Sequence, residues 1–125
     1  MDQQILRAFF NVIGRNCDDH VKKIAFLMNR KGEWRLSPAF DISYAWNPSG
    51  EWTSRHQMSV NGKRDGFALE DLLALAKAAD VKKARAKQMV DRVIEVVRNW
   101  PDFAGEAGVS EERIKQIQAV QRTNL

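Results

Sequence analysis

Asn16-Cys17-Asp18-Asp19-His20-Val21-Lys22-Lys23, then Ile24-Ala25-Phe26-Leu27-Met28, then Trp34-Arg35-Leu36-Ser37-Pro38-Ala39-Phe40-Asp41 is the stretch on which this sequence turns. It begins as a polar loop crowded with ionisable side chains over residues 15–23. Two short apolar runs follow, separated by Asn29-Arg30-Lys31-Gly32-Glu33, which has turn character, so residues 24–36 are predicted to form a β-hairpin. Ser37-Pro38 ends the second strand, because proline cannot donate to a ladder. One acidic residue, Asp18, therefore stands before the hairpin and another, Asp41, just after it. The two ends of a hairpin lie side by side, so both carboxylates can face one cavity.

Upstream, Ile5, Leu6, Phe9, Phe10 and Ile13 recur at helical spacing and predict a helix over 2–14, with Gly14 where such a helix would stop. Downstream, residues 42–66 carry aromatics, Gly, Asn and Ser without a sustained period and read as irregular, with a turn at Asn61-Gly62. A helical tail is expected over 68–122. Leu69, Leu72, Leu73, Ala76 and Ala79 form its first stripe, and Val90, Val93, Ile94 and Val97 the buried face of a long helix. Asp80 is placed as the N-cap of that long helix, Pro101 marks its end or a kink, and Ser110 caps a last helix carrying Ile114, Ile117 and Val120. The expected fold class is mainly α with a small β-hairpin, in one domain over 1–125.

Composition sets the outer limits. The 125 residues are 44% hydrophobic and 29% charged, with only 7 Gly and 3 Pro, which is a globular balance and argues against disorder. A net charge of +4 is more readily a solvated surface than a nucleic-acid footprint. The single cysteine, Cys17, excludes an internal disulfide and a CxxC metal pair, and beside Asp18 it would be reactive only with a lowered pKa. With no signal-peptide pattern and no apolar run near 20 residues, the cytoplasm is the expected location and no membrane contact is expected.

Two carboxylates facing one cavity suit phosphoryl transfer. One orients the attacking hydroxyl and accepts its proton, and the other holds the Mg²⁺ that neutralises the phosphates. At these residues the sequence resembles HipA-like serine/threonine protein kinases: Asn16-Cys17-Asp18-Asp19-His20-Val21-Lys22, Phe26-Leu27-Met28, Leu36-Ser37-Pro38-Ala39-Phe40-Asp41 and His56-Gln57-Met58-Ser59-Val60-Asn61-Gly62-Lys63 look like segments of that family. The resemblance extends to Trp100-Pro101-Asp102-Phe103 and covers the last third or so of such a kinase, its helical C-terminal lobe. It implies Asp18 as catalytic aspartate, Asp41 as metal-binding aspartate, and Mg²⁺ and ATP as cofactors. It also implies a bacterial toxin–antitoxin setting. The implied partners are a helix-turn-helix antitoxin, through which alone DNA is met, a protein substrate from among translation-associated proteins, and the N-terminal kinase lobe. No Gly-rich phosphate loop precedes a helix in this chain, and no Val-Ala-Ile-Lys strand occurs, so the chain alone is expected to be inactive and to hold ATP weakly.

One position departs from the family pattern Asp-Asp-His-x-Lys-Asn, whose asparagine is a second metal ligand. Here that place is Lys23, whose protonated amine has no lone pair for Mg²⁺ and repels it. In an active enzyme Lys23 is expected to turn outward or to pair with a carboxylate such as Asp19. The alternative is a degenerate kinase lobe that binds an antitoxin or another protein. A third reading is a small metal-dependent phosphoesterase built on Asp18, Asp19, His20 and Asp41. Of the neighbours, Lys22 is a candidate to neutralise the transferring phosphate, whereas Asp19 and His20 are read as structural hydrogen-bonding residues. His56 and Lys63 are read as parts of a structural connection, and Trp34, Trp46, Trp52 and Trp100 as core or surface anchors.

Overall fold

The computed structural model describes residues 2–125. Helix α1 (Asp2–Gly14) is built on the expected stripe, and Phe9 and Ile13 are fully buried along it. Its main partner is α3 (Lys83–Arg98), which turns Ala86, Met89, Val90, Val93, Ile94 and Val97 inward. Helix α2 (Leu69–Ala78) closes the third side with Leu72 and Ala76, and Val60 and Phe67 from the irregular segment complete the same core. Each large apolar side chain withdrawn from water in this way stabilises the fold by about 1.5–3 kcal/mol. Helices α4 (Trp100–Glu106) and α5 (Glu111–Val120) pack on each other, burying Ala104, Ile114 and Ile117. No described helix is long and apolar enough to cross a membrane.

Strands β1 (Phe26–Met28) and β2 (Trp34–Leu36) form the antiparallel hairpin, with Phe26 opposite Leu36, Leu27 opposite Arg35 and Met28 opposite Trp34. Asn29 folds the turn: its side-chain oxygen accepts from Lys31 N–H and Glu33 N–H, while Gly32 takes φ +82°, a left-handed conformation in which it meets no steric penalty. The two-residue period of a strand puts Phe26, Met28, Trp34 and Leu36 on one face. That face is not core, since Trp34 keeps 68% of its surface and Phe26 60%.

Helix α1 stops at Gly14 as expected, and one helix end, at Asp80, differs from expectation. Gly14 is the last helical residue of α1, and the left-handed residue that closes the helix is Arg15, at φ +62°. Asn16 N–H then reaches back to Asn11 C=O at 2.9 Å, the six-to-one bond of a Schellman closure. Asp80 does not cap α3. It sits at φ +59° as the left-handed residue ending α2, with Asp80 N–H on Lys77 C=O and Val81 N–H on Ala76 C=O. A short Asp side chain tolerates that conformation better than most, which is why the residue serves the end of one helix rather than the start of the next. The N-cap of α3 is Lys82, without a side-chain cap. Pro101 lies in the first turn of α4, where its missing N–H costs nothing, so the long helical pattern is broken into two helices. Ser110 caps α5 as expected, its Oγ accepting from Arg113 N–H.

Candidate functional site

The loop after α1 is held before any charged group is considered. Cys17 N–H donates to Ala45 C=O at 2.9 Å and Ala45 N–H to Arg15 C=O at 3.0 Å, so the segment beyond Asp41 is bridged to the segment before Asp18. Arg15 supports its left-handed backbone with tertiary contacts, Nε donating to Val120 C=O at 2.8 Å and the guanidinium lying 4.7 Å from the Trp46 ring centre. Cys17 is wholly buried, and burial pushes its thiol up to about 11, the opposite of what a nucleophile or metal ligand needs.

From this anchored base the chain runs through Asp18, Asp19 and His20 into a single 3₁₀ turn (Val21–Lys23). Lys23 N–H bonds back to His20 C=O, and the turn throws the Lys23 side chain toward both carboxylates. Its ammonium is 3.1 Å from Asp18 Oδ2 and makes a short hydrogen bond to Asp41. Hydrogen bonds first to Asp41 and then to Asp18 raise the Lys23 pKa, so the amine is firmly protonated. Lys23 neither turns outward nor pairs with Asp19. Asp41 holds a left-handed backbone at φ +53°, a conformation that Asp, as at Asp80, tolerates better than most residues. His20 Nε2 lies 3.5 Å from Asp18, and Lys22 is exposed with no ion pair among the described residues.

Asp18 and Asp41 thus meet at one cation, and that cation belongs to the chain. Among the described residues no group of three or more His, Cys, Asp and Glu side chains is placed to hold a metal ion. Carboxylate oxygens are the right ligands for a hard divalent ion, but an ammonium between them is not. As arranged, the site does not fit Mg²⁺.

Asp19 faces the interior. Its Oδ2 is 2.9 Å from His56 Nδ1, and its Oδ1 accepts from Gln57 N–H at 2.8 Å and Met58 N–H at 3.3 Å. Burial alone would raise this carboxyl, but the His56 hydrogen bond and the two backbone N–H groups outweigh it and hold the pKa below its ordinary value. The set Asp18, Asp19, His20 and Asp41 is therefore not assembled around one point, as the phosphoesterase reading requires. Lys63 also belongs to a structural connection. With Ala68 N–H and Asn61 Nδ2 it binds the Asp71 carboxylate at the start of α2, and these bonds depress that pKa to about 2.

Two residues of this neighbourhood carry no sequence signal. Arg122, in the tail after α5, donates to His56 Nε2 at 3.2 Å and to Asp65 at 2.5 Å. Neither Arg122 nor Asp65 lies in a motif, and only the folded chain brings them together.

A model of the HipA-like C-terminal domain family matches residues 1–100. No curated protein and no solved structure matches the chain.

Proposed function

The chain belongs to the HipA-like C-terminal domain family, and from that premise we propose that it supplies the carboxylate side of a protein kinase site. The reaction is transfer of the ATP γ-phosphoryl to a serine or threonine hydroxyl of a protein. The observation that carries this reading is the convergence of Asp18 and Asp41, from the two ends of one hairpin, on a single cation. In the proposed reaction Asp18 orients the attacking hydroxyl and takes its proton, work that contributes about 10²–10⁴-fold to such a step. Lys22, exposed at the rim, meets the charge of the incoming phosphates. The nucleotide is held chiefly by an N-terminal kinase lobe, and Asp41 is the residue that would hold a Mg²⁺ neutralising the phosphates if Lys23 were displaced from it. A helix-turn-helix antitoxin and a translation-associated protein substrate are the partners proposed with this activity.

The test combines the chain with an N-terminal lobe and follows phosphate incorporation into protein. Asp18→Asn is expected to lower the rate by about 10²–10⁴-fold, and Asp41→Asn to abolish it. Full activity in Asp41→Asn removes this assignment of the site.

A further inference from the structure

The loop bearing Asp18 is tied to the far end of the chain by a buried line of polar contacts. Arg122 is fixed at its base. Its backbone N–H donates to Ile13 C=O at 2.9 Å, its NH1 to Val12 C=O at 2.7 Å, and its NH2 to Asp65 at 2.5 Å. The guanidinium also stands 5.2 Å from the Phe67 ring centre. The last turn of α1, which delivers the loop, therefore also holds Arg122.

The next link sets a proton. A guanidinium has only donors, so where Arg122 NH1 meets His56 Nε2 at 3.2 Å the imidazole nitrogen must accept. The ring proton then resides on Nδ1, which is the atom 2.9 Å from Asp19 Oδ2. His56 is wholly buried, and its main chain is pinned on both sides by His56 N–H to Arg64 C=O and Arg64 Nε to His56 C=O. The ring packs edge-on against Phe67. It has no room to swing away from either partner.

We infer that Arg122 is a positioning residue for the loop that carries Asp18, acting through the Nδ1–H tautomer of His56 on the Asp19 carboxylate. Asp19 is the covalent neighbour of Asp18, and with Gln57 N–H and Met58 N–H on its other oxygen it has one orientation available. Arg122 lies beyond the residues the family model matches, so the device is assigned to this chain and not to the family. That the positioned loop serves phosphoryl transfer rests on the function proposed above, whereas the positioning itself does not.

Nuclear magnetic resonance of the chain tests the positioning without any nucleotide. The chain has two histidines, His20 and His56, so ¹⁵N-histidine labelling gives two ring patterns, and His20→Gln assigns them. At neutral pH His56 is expected to show a protonated Nδ1 and a lone-pair Nε2; a protonated Nε2 overturns the inference. In Arg122→Met the Gln57 and Met58 amides should exchange at least about tenfold faster, while Val90, Val93 and Ile94 in α3 change by less than about twofold. Arg122→Lys, which restores a donor, should recover part of the protection. Unchanged Gln57 and Met58 amides, or equal acceleration throughout α3, overturns the inference. If Arg122→Met does not fold, the wild-type tautomer and the Arg122→Lys amides decide it. Intact tautomer and protection in a chain that fails to phosphorylate protein even when combined with an N-terminal lobe would remove the kinase reading and leave the positioning standing.

Discussion

Asp19→Asn is the substitution on which the buried network stakes most. Asp19 accepts from His56 Nδ1, Gln57 N–H and Met58 N–H, and it is 9% exposed. Truncation to Ala strands all three donors. A buried donor left without a partner costs about 1–3 kcal/mol, with the half-buried backbone pair at the lower end, so Asp19→Ala should cost about 3–5 kcal/mol. Asparagine keeps an oxygen for the two backbone N–H groups but turns an NH₂ toward His56. That NH₂ meets Nδ1–H, donor against donor, and the ring cannot relieve it by moving its proton, because Nε2 already faces Arg122. Asp19→Asn should therefore cost nearly as much as Asp19→Ala, although it is the closer isostere. Against a total stability of about 5–15 kcal/mol for a domain, either loss is large. Urea denaturation with an unchanged slope measures it. An Asp19→Asn variant within about 1 kcal/mol of wild type would refute the reasoning, since it would mean that His56 is free to change tautomer.

Three further outcomes are expected. Lys23→Asn removes the ammonium between Asp18 and Asp41 and offers an amide oxygen, so calorimetry should find tighter Mg²⁺ binding; unchanged affinity would show that Lys23 is not what keeps a divalent ion out. Mg·ATP should bind the chain no more tightly than about 1 mM, about −4 kcal/mol, and micromolar affinity would reveal a nucleotide site elsewhere. Asp71 has a folded pKa depressed to about 2 from 3.8, by Ala68 N–H, Asn61 and Lys63. Its stabilising contribution is therefore complete above the unfolded value and is lost as pH falls from about 4 through about 2. The stability gap between wild type and Asp71→Asn should close across that window and stay constant above it.

Much of the fold was legible because burial writes itself into spacing. The stripes of α1 and α3 stand at the expected residues, Ser110 caps α5, and Asn61-Gly62 takes two successive left-handed residues between the bridged Val60 and Lys63. Helix ends were legible only where local chemistry decides them. The usual sign of a left-handed closure is glycine, and Gly108 provides it after α4. Arg15 carries no such sign. Its side chain is held by Val120 C=O and the Trp46 ring, and its C=O by Ala45 N–H, partners distant in sequence. The two apolar runs of the hairpin identify a strand pair but not what covers it.

The meeting of Asp18 and Asp41 was foreseeable from two hairpin ends, whereas the place of Lys23 was not. A lysine has a flexible four-carbon stem, and sequence does not say which way it lies. The 3₁₀ turn at Val21–Lys23 decides, by bringing the stem back over the loop. Once there, the amine finds two carboxylates, and each reinforces its charge. Two carboxylates and one ammonium leave the pair with a single net negative charge, already compensated in part. A divalent ion arriving alone would have to expel Lys23 into water, and a phosphate arriving alone would have to approach two carboxylates to reach it. On the proposed reading, an entering anion that takes Lys23 would leave Asp18 and Asp41 to hold a cation. Anion and cation would then each take one half of the ion pair that Lys23 makes with Asp18 and Asp41.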